Sequence, residues 1–132
     1  MTPAYRIGLD IGSTTIKLVV LDSGGNVCFT RYERHHAKIQ SKLTDMLAEA
    51  NSLIGDTPVK LYITGSVGMG VAEKCDLPFV QEVIAATHYI RHLPEPVSTL
   101  IDIGGEDAKV VFFDHNQATD LRMNGNCAGG TG

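Results

Sequence analysis

Ile7, Leu9 and Ile11 alternate with Arg6, Gly8 and Asp10, and an apolar run resumes at Ile16 to Leu21 after the small residues Gly12-Ser13-Thr14-Thr15. That pattern predicts two strands, Tyr5 to Ile11 and Ile16 to Leu21, joined at a tight corner. Asp22-Ser23-Gly24-Gly25-Asn26 reads as a turn, and Val27 to His35 as a third, half-exposed strand. From about Ala37 the period changes. Ile39, Leu43, Met46, Leu47, Ala50, Leu53 and Ile54 fall at helical spacing with one buried face, and Gly55 stops the helix before Asp56-Thr57-Pro58 turns the chain. Val59 to Thr64 is a strand leading straight into Gly65-Ser66-Val67-Gly68-Met69-Gly70. This glycine-rich exit is either a further ligand loop or a flexible connection to a short helix. Glu82 to Leu93 predicts a helix closed by Pro94 and Pro96. Val97 to Ile103, Asp107 to Phe113 and Ala118 to Met123 predict three more strands, with no further helices among them.

The first corner is written twice. Asp10-Ile11-Gly12 recurs as Asp102-Ile103-Gly104, Lys17 as Lys109, and Asp22 as Asp114. One such hairpin would be ordinary; matching Asp and Lys offsets point to an internal duplication. Small residues at a turn let backbone N–H groups converge on an anion. An Asp at the end of the preceding strand makes sense there as a partner of a Mg²⁺ that bridges phosphates. The motif is not a Walker A loop, because Lys17 enters a β-branched apolar run and not a helix. Paired phosphate hairpins follow the logic of the actin/hexokinase/heat-shock-ATPase superfamily. The expected fold is therefore α/β: a ribonuclease-H-like half with a mixed sheet and flanking helices (1–96), followed by the start of a second half (97–132).

A net charge of −4 with no Lys/Arg cluster argues against a nucleic acid or anionic membrane partner. The N-terminal stretch lacks an apolar signal core, and no apolar run approaches membrane-spanning length. Cys28, Cys75 and Cys127 are odd in number and widely separated, so they do not read as a disulfide framework, and a reducing cytoplasm is expected. Cys28 reads as a packing residue, and Cys75, beside Asp76-Leu77-Pro78 with no partner spacing, as structural. His35 and His36 are adjacent and would point to opposite faces of a strand, which disfavours a shared metal. His88 and His92 lie four apart on one helical face, but Tyr89 stands where a zincin has Glu, so they read as solvated or capping.

The chain closes on Asn124-Gly125-Asn126-Cys127-Ala128-Gly129-Gly130-Thr131-Gly132. Thr131 has the chemistry of a helix cap with no helix after it, so a longer polypeptide is expected. With GLDIGSTTIK, ITGSVGMG, DIGGEDAK and NGNCAGGTG present in order, the sequence resembles the activators of 2-hydroxyacyl-CoA dehydratases. That group also includes the ATPase subunits of benzoyl-CoA reductase. It looks most similar to the long, multi-domain members, which have Glu at the position of Glu106; compact activators usually have Gln. The resemblance implies a cytoplasmic homodimer with one [4Fe–4S] cluster at its interface, two cysteines coming from each subunit. ATP hydrolysis would then drive a low-potential electron onto the dehydratase component. Cys127, by itself one thiol in a glycine loop, matches the first cluster cysteine, with the second expected beyond Gly132.

The same resemblance suggests roles for the hairpin residues. Gly12, Ser13, Thr14 and Thr15 would hold the β- and γ-phosphates of ATP, with Gly104 and Gly105 as the opposing turn. Asp10 and Asp102 would steer Mg²⁺, through water. Lys17 and Lys109 either neutralise developing charge or pair with a nearby carboxylate. Glu106 or Asp107 would orient the attacking water. The adenosine-binding part is expected outside this chain, so the chain alone should bind nucleotide weakly and hydrolyse it poorly. A sugar- or acetate-type kinase and a non-catalytic nucleotide-sensing module are the other classes compatible with the hairpins.

Overall fold

The computed structural model describes residues 3–125. Contacts group the chain into two compact units, Met1–Val80 and Gln81–Gly132.

In the first unit, β1 (Tyr5–Ile11), β2 (Thr15–Asp22) and β3 (Val27–Arg34) form an antiparallel meander, and β4 (Val59–Thr64) joins β1 in parallel. The sheet order is β3-β2-β1-β4. A parallel neighbour cannot be reached by a tight turn, so the chain crosses through α1 (Ile39–Ile54). One face of the sheet carries Ile7, Leu9, Ile11, Ile16, Leu18 and Val20, all at most 5 % exposed. They pack against Met46, Ala50 and Ile54 of α1 and Ala72 of α2 (Gly68–Cys75). The glycine-rich exit from β4 thus contains a helix. Gly68 is buried there, packed so closely on Ile63 that a Cβ would sit 2.8 Å from that side chain.

Gly65 fixes how β4 passes the Asp-Ile-Gly corner. Its φ is +103°, and a Cβ would lie 2.2 Å from the Ile11 carbonyl oxygen. Only glycine permits this approach. It allows the Val67 N–H to bond that same carbonyl at 3.0 Å, which ties the start of α2 to the end of β1.

In the second unit, β5 (Thr99–Ile103), β6 (Asp107–Asp114) and β7 (Gln117–Gly125) form an antiparallel sheet in that order. Here the contacts depart from the sequence-based division at residue 96. Ile90 and Val83 of α3 (Glu82–Arg91) pack against Val111, Phe113 and Leu100, so the second sheet has a helix of its own. Cys28, expected to pack, is an exposed residue whose thiol donates to the Val20 carbonyl. Cys75 is also exposed. His92 closes α3 by donating from Nδ1 to the His88 carbonyl at 2.7 Å. Among the described residues, no helix is long and apolar enough to cross a membrane. Cys127 lies outside the described residues.

Candidate functional site

The strand register confirms that the two corners are built alike. Asp10 pairs across the ladder with Lys17, and Asp102 with Lys109. At each turn the glycine N–H donates to the carbonyl three residues further on: Gly12 to Thr15 at 2.9 Å, Gly104 to Asp107 at 2.8 Å. Among the described residues, the next two N–H groups of each turn, Ser13 and Thr14 or Gly105 and Glu106, have no backbone or side-chain acceptor. Two adjacent, unengaged amides at a small-residue turn are the elements of an anion cradle.

Around the first turn the sheet supplies a polar row on the face opposite the core. Register places Tyr32, Lys17, Asp10 and Thr64 side by side on β3, β2, β1 and β4. Lys17 Nζ lies 3.4 Å from Asp10 Oδ2 and 5.1 Å from the centre of the Tyr32 ring, with both members of the ion pair substantially exposed. Thr64 Oγ1 is sealed from solvent and has no hydrogen-bond partner among the described residues. A buried hydroxyl normally has one. Beside Asp10, that orphan oxygen suits a ligand shell held by one carboxylate and completed by water and phosphate, as Mg²⁺ prefers. No group of three or more His, Cys, Asp or Glu side chains converges on a metal position among the described residues.

His35 completes the first turn, and nothing in the hydrophobic pattern marked it. It lies just beyond β3 and is 4 % exposed. Its Nδ1 accepts the Ala37 N–H at 3.0 Å, so Nε2 carries the ring proton and donates to the Gly12 carbonyl at 2.9 Å. Its backbone N–H donates to the Thr14 carbonyl at 3.1 Å. The bend that allows this places His36 and Ala37 at φ 49° and 60°. His36 points to solvent.

Around the second turn, Asp102, Gly104, Gly105 and Glu106 are exposed. Lys109, by contrast, is only 7 % exposed, with Nζ 2.5 Å from Glu82 Oε2 and 3.3 Å from Asp107 Oδ2. Burial disfavours its charge, but the hydrogen bond and charge of Glu82, then those of Asp107, outweigh this and raise its pKa above the usual 10.5. Lys109 therefore takes the second of its two expected roles, pairing with carboxylates. Glu82 is the other residue that pattern reading missed. Its one visible signal was an acid in the first turn of a predicted helix.

The family model for the BadF/BadG/BcrA/BcrD ATPase family matches residues 7–132. The chain is 30 % identical over 131 residues to the 2-hydroxyisocaproyl-CoA dehydratase activator of Clostridioides difficile, covering 97 % of this chain and 48 % of that protein. It is 28 % identical over 134 residues to the (R)-2-hydroxyglutaryl-CoA dehydratase activating ATPase of Acidaminococcus fermentans, covering 97 % and 50 %. Among solved structures, the activator of the 2-hydroxyisocaproyl-CoA dehydratase from Clostridium difficile with bound ADPNP superposes with a TM-score of 0.77 at 29 % identity. That match covers 94 % of this chain and 47 % of the other. The chain thus spans about half the length of the curated relatives it matches, and its fold is the actin-like ATPase fold expected from the twin hairpins.

Proposed function

Because the chain belongs to the BadF/BadG/BcrA/BcrD ATPase family, we propose that its hairpins hold the phosphates of ATP in a protein that couples ATP hydrolysis to electron delivery onto a 2-hydroxyacyl-CoA dehydratase. The observation that carries this reading is the duplicated turn: the same inner hydrogen bond, the same two unengaged amides, and the same cross-strand Asp–Lys pair. The Ser13 and Thr14 amides, with the hydroxyls of Ser13, Thr14 and Thr15, take phosphate oxygens at the first turn. Gly104 and Gly105 offer a second anion turn. Asp10, beside the Thr64 hydroxyl, and Asp102 orient a hydrated Mg²⁺, which when bound offsets phosphate charge. Lys17 brings a cation next to the first turn.

Phosphoryl transfer asks chiefly for positioning and charge stabilisation. With Asp107 held by Lys109 and Glu106 exposed on the turn, Glu106 is the better candidate to orient the attacking water. Cys127 is assigned as one thiolate ligand of a [4Fe–4S] cluster shared across a cytoplasmic homodimer. The relatives' description as dehydratase activators supports the dehydratase component as electron acceptor.

The test uses the intact protein, reconstituted anaerobically with iron and sulfide. Mg-ATP hydrolysis should fall roughly a hundredfold in Asp10→Asn, as for removal of one preorganised charge-stabilising group. A broad visible absorption and a reduced-state paramagnetic signal should disappear in Cys127→Ala. A colourless protein that phosphorylates a sugar would replace this reading with the kinase class.

A further inference from the structure

We infer that His35 is a positioning residue for the first phosphate turn, acting through the Gly12 carbonyl and never touching the nucleotide. The inference rests on the phosphate-site reading of that turn and adds to it the part that keeps the cradle in shape.

An isolated hairpin turn with two unengaged amides has little reason to hold one conformation. Adjacent N–H dipoles repel, and a flexible turn can rotate either amide away from a ligand. Ordering it on binding would cost affinity, and an already ordered turn avoids that cost. Here the order comes from the bend just after β3. The His35 ring, buried and bonded at both nitrogens, holds the Gly12 carbonyl on the protein side of the turn, while its backbone N–H does the same for the Thr14 carbonyl. Holding the carbonyls of residues 12 and 14 fixes the Gly12–Ser13 and Thr14–Thr15 peptide planes, so the Ser13 amide is held directly and the Thr14 amide sits in the single peptide between two fixed ones. The left-handed backbone at His36 and Ala37 is the strain that this arrangement accepts, since non-glycine residues seldom adopt it. Among the described residues the second turn has no counterpart: the strand that follows, β7, places no side chain on the Gly104 carbonyl.

The experiment compares wild type, His35→Gln and His35→Phe in the intact protein. Gln keeps an amide donor within reach of the Gly12 carbonyl, and Phe keeps the volume without a donor. His35→Phe should bind Mg-ATP roughly tenfold more weakly, the scale of one lost hydrogen bond plus a turn to be ordered. His35→Gln should recover most of that loss. The effect should fall on KM for Mg-ATP and on affinity for inorganic triphosphate, with affinity for adenosine unchanged. A His35→Phe protein that binds Mg-ATP as tightly as wild type overturns the role. Should His35→Phe fail to fold, His35→Gln and the wild-type imidazole carry the test. Nitrogen NMR should then show the Nε2–H tautomer, and an Nδ1–H ring would overturn the inference. A wild-type protein with no affinity for Mg-ATP or triphosphate removes the phosphate site itself, a result distinct from a site that binds without needing His35.

Discussion

The two Asp-Ile-Gly hairpins share a sequence pattern, a register and a turn bond, yet they bury opposite faces. In the first, Leu9, Ile11 and Leu18 are at most 2 % exposed under α1 and α2, while Lys17 is half exposed. In the second, the matching Ile101 and Ile103 are 64 % and 73 % exposed, and the matching Lys109 lies under α3. The pattern Asp-Ile-Gly, four residues, Lys specifies a hairpin and its cradle. It does not specify which side is inside; that is decided by which helix packs where. Alternation is a statement about two faces, and burial needs a partner for one of them.

The contrast has measurable consequences, the largest in the apolar positions. Ile11→Ala should destabilise the chain by about 2–5 kcal/mol in urea denaturation, as expected for a fully buried aliphatic side chain. Ile103→Ala should stay within about 0.5 kcal/mol of wild type. Equal losses at the two positions would mean that the second isoleucine face is covered after all. Next come the lysines. Lys109→Met leaves Glu82 and Asp107 without their shared cation. Because both acids keep about a third of their exposure, the cost should be about 1–3 kcal/mol, below that of a fully buried pair. Lys17→Met should cost less than about 1 kcal/mol, as at an exposed pair. The Lys109 contribution also has a pH signature. Its pKa is raised in the folded state, so folding binds that proton more tightly than the unfolded chain does. The stabilisation is complete below about pH 10.5 and is lost as the pH climbs through the raised value. Alkaline denaturation of wild type should show this loss, and Lys109→Met should lack it.

Much of this could be read from the chain before any coordinates. Strands with strict alternation, such as Ile7-Leu9-Ile11, announce themselves, and so does α1, whose apolar residues keep a helical period over four turns. The repeated Asp and Lys offsets located both turns. What escaped depended on contacts between residues distant in sequence. Lys109 meets Glu82 across 27 positions, and His35 meets Gly12 across 23. Neither distance leaves a periodic trace. At α2 the sequence leaves two readings open, a ligand loop or a connection to a short helix, because glycine weakens a helix by about 1 kcal/mol relative to alanine. Packing, with Gly68 against Ile63 and Ala72 in the core, decides for the helix. α3 was correctly expected, but the prolines after it suggested a boundary that its apolar contacts override.

The smallest effect on stability separates folding from binding most cleanly. Neither Gly12 nor Gly104 adopts a left-handed backbone, and a Cβ at either would meet its nearest neighbour at ordinary contact distance, 3.5 Å from the Thr15 carbonyl oxygen or 3.4 Å from Asp107 Oδ1. The fold therefore does not require glycine at these corners, in contrast to Gly65. Alanine there should leave stability unchanged or raise it by about 0.4–1 kcal/mol, through the stiffer unfolded chain. If the corners are glycine so that phosphate can approach the backbone, the same substitutions should weaken Mg-ATP binding by roughly tenfold, the scale of one compromised phosphate contact. Calorimetric titration and urea denaturation of Gly12→Ala and Gly104→Ala give four numbers. Reduced affinity at both corners with intact stability supports two working cradles. Reduced affinity at Gly12 alone would make the second hairpin a structural echo of the first, its anion turn retained and its ligand lost.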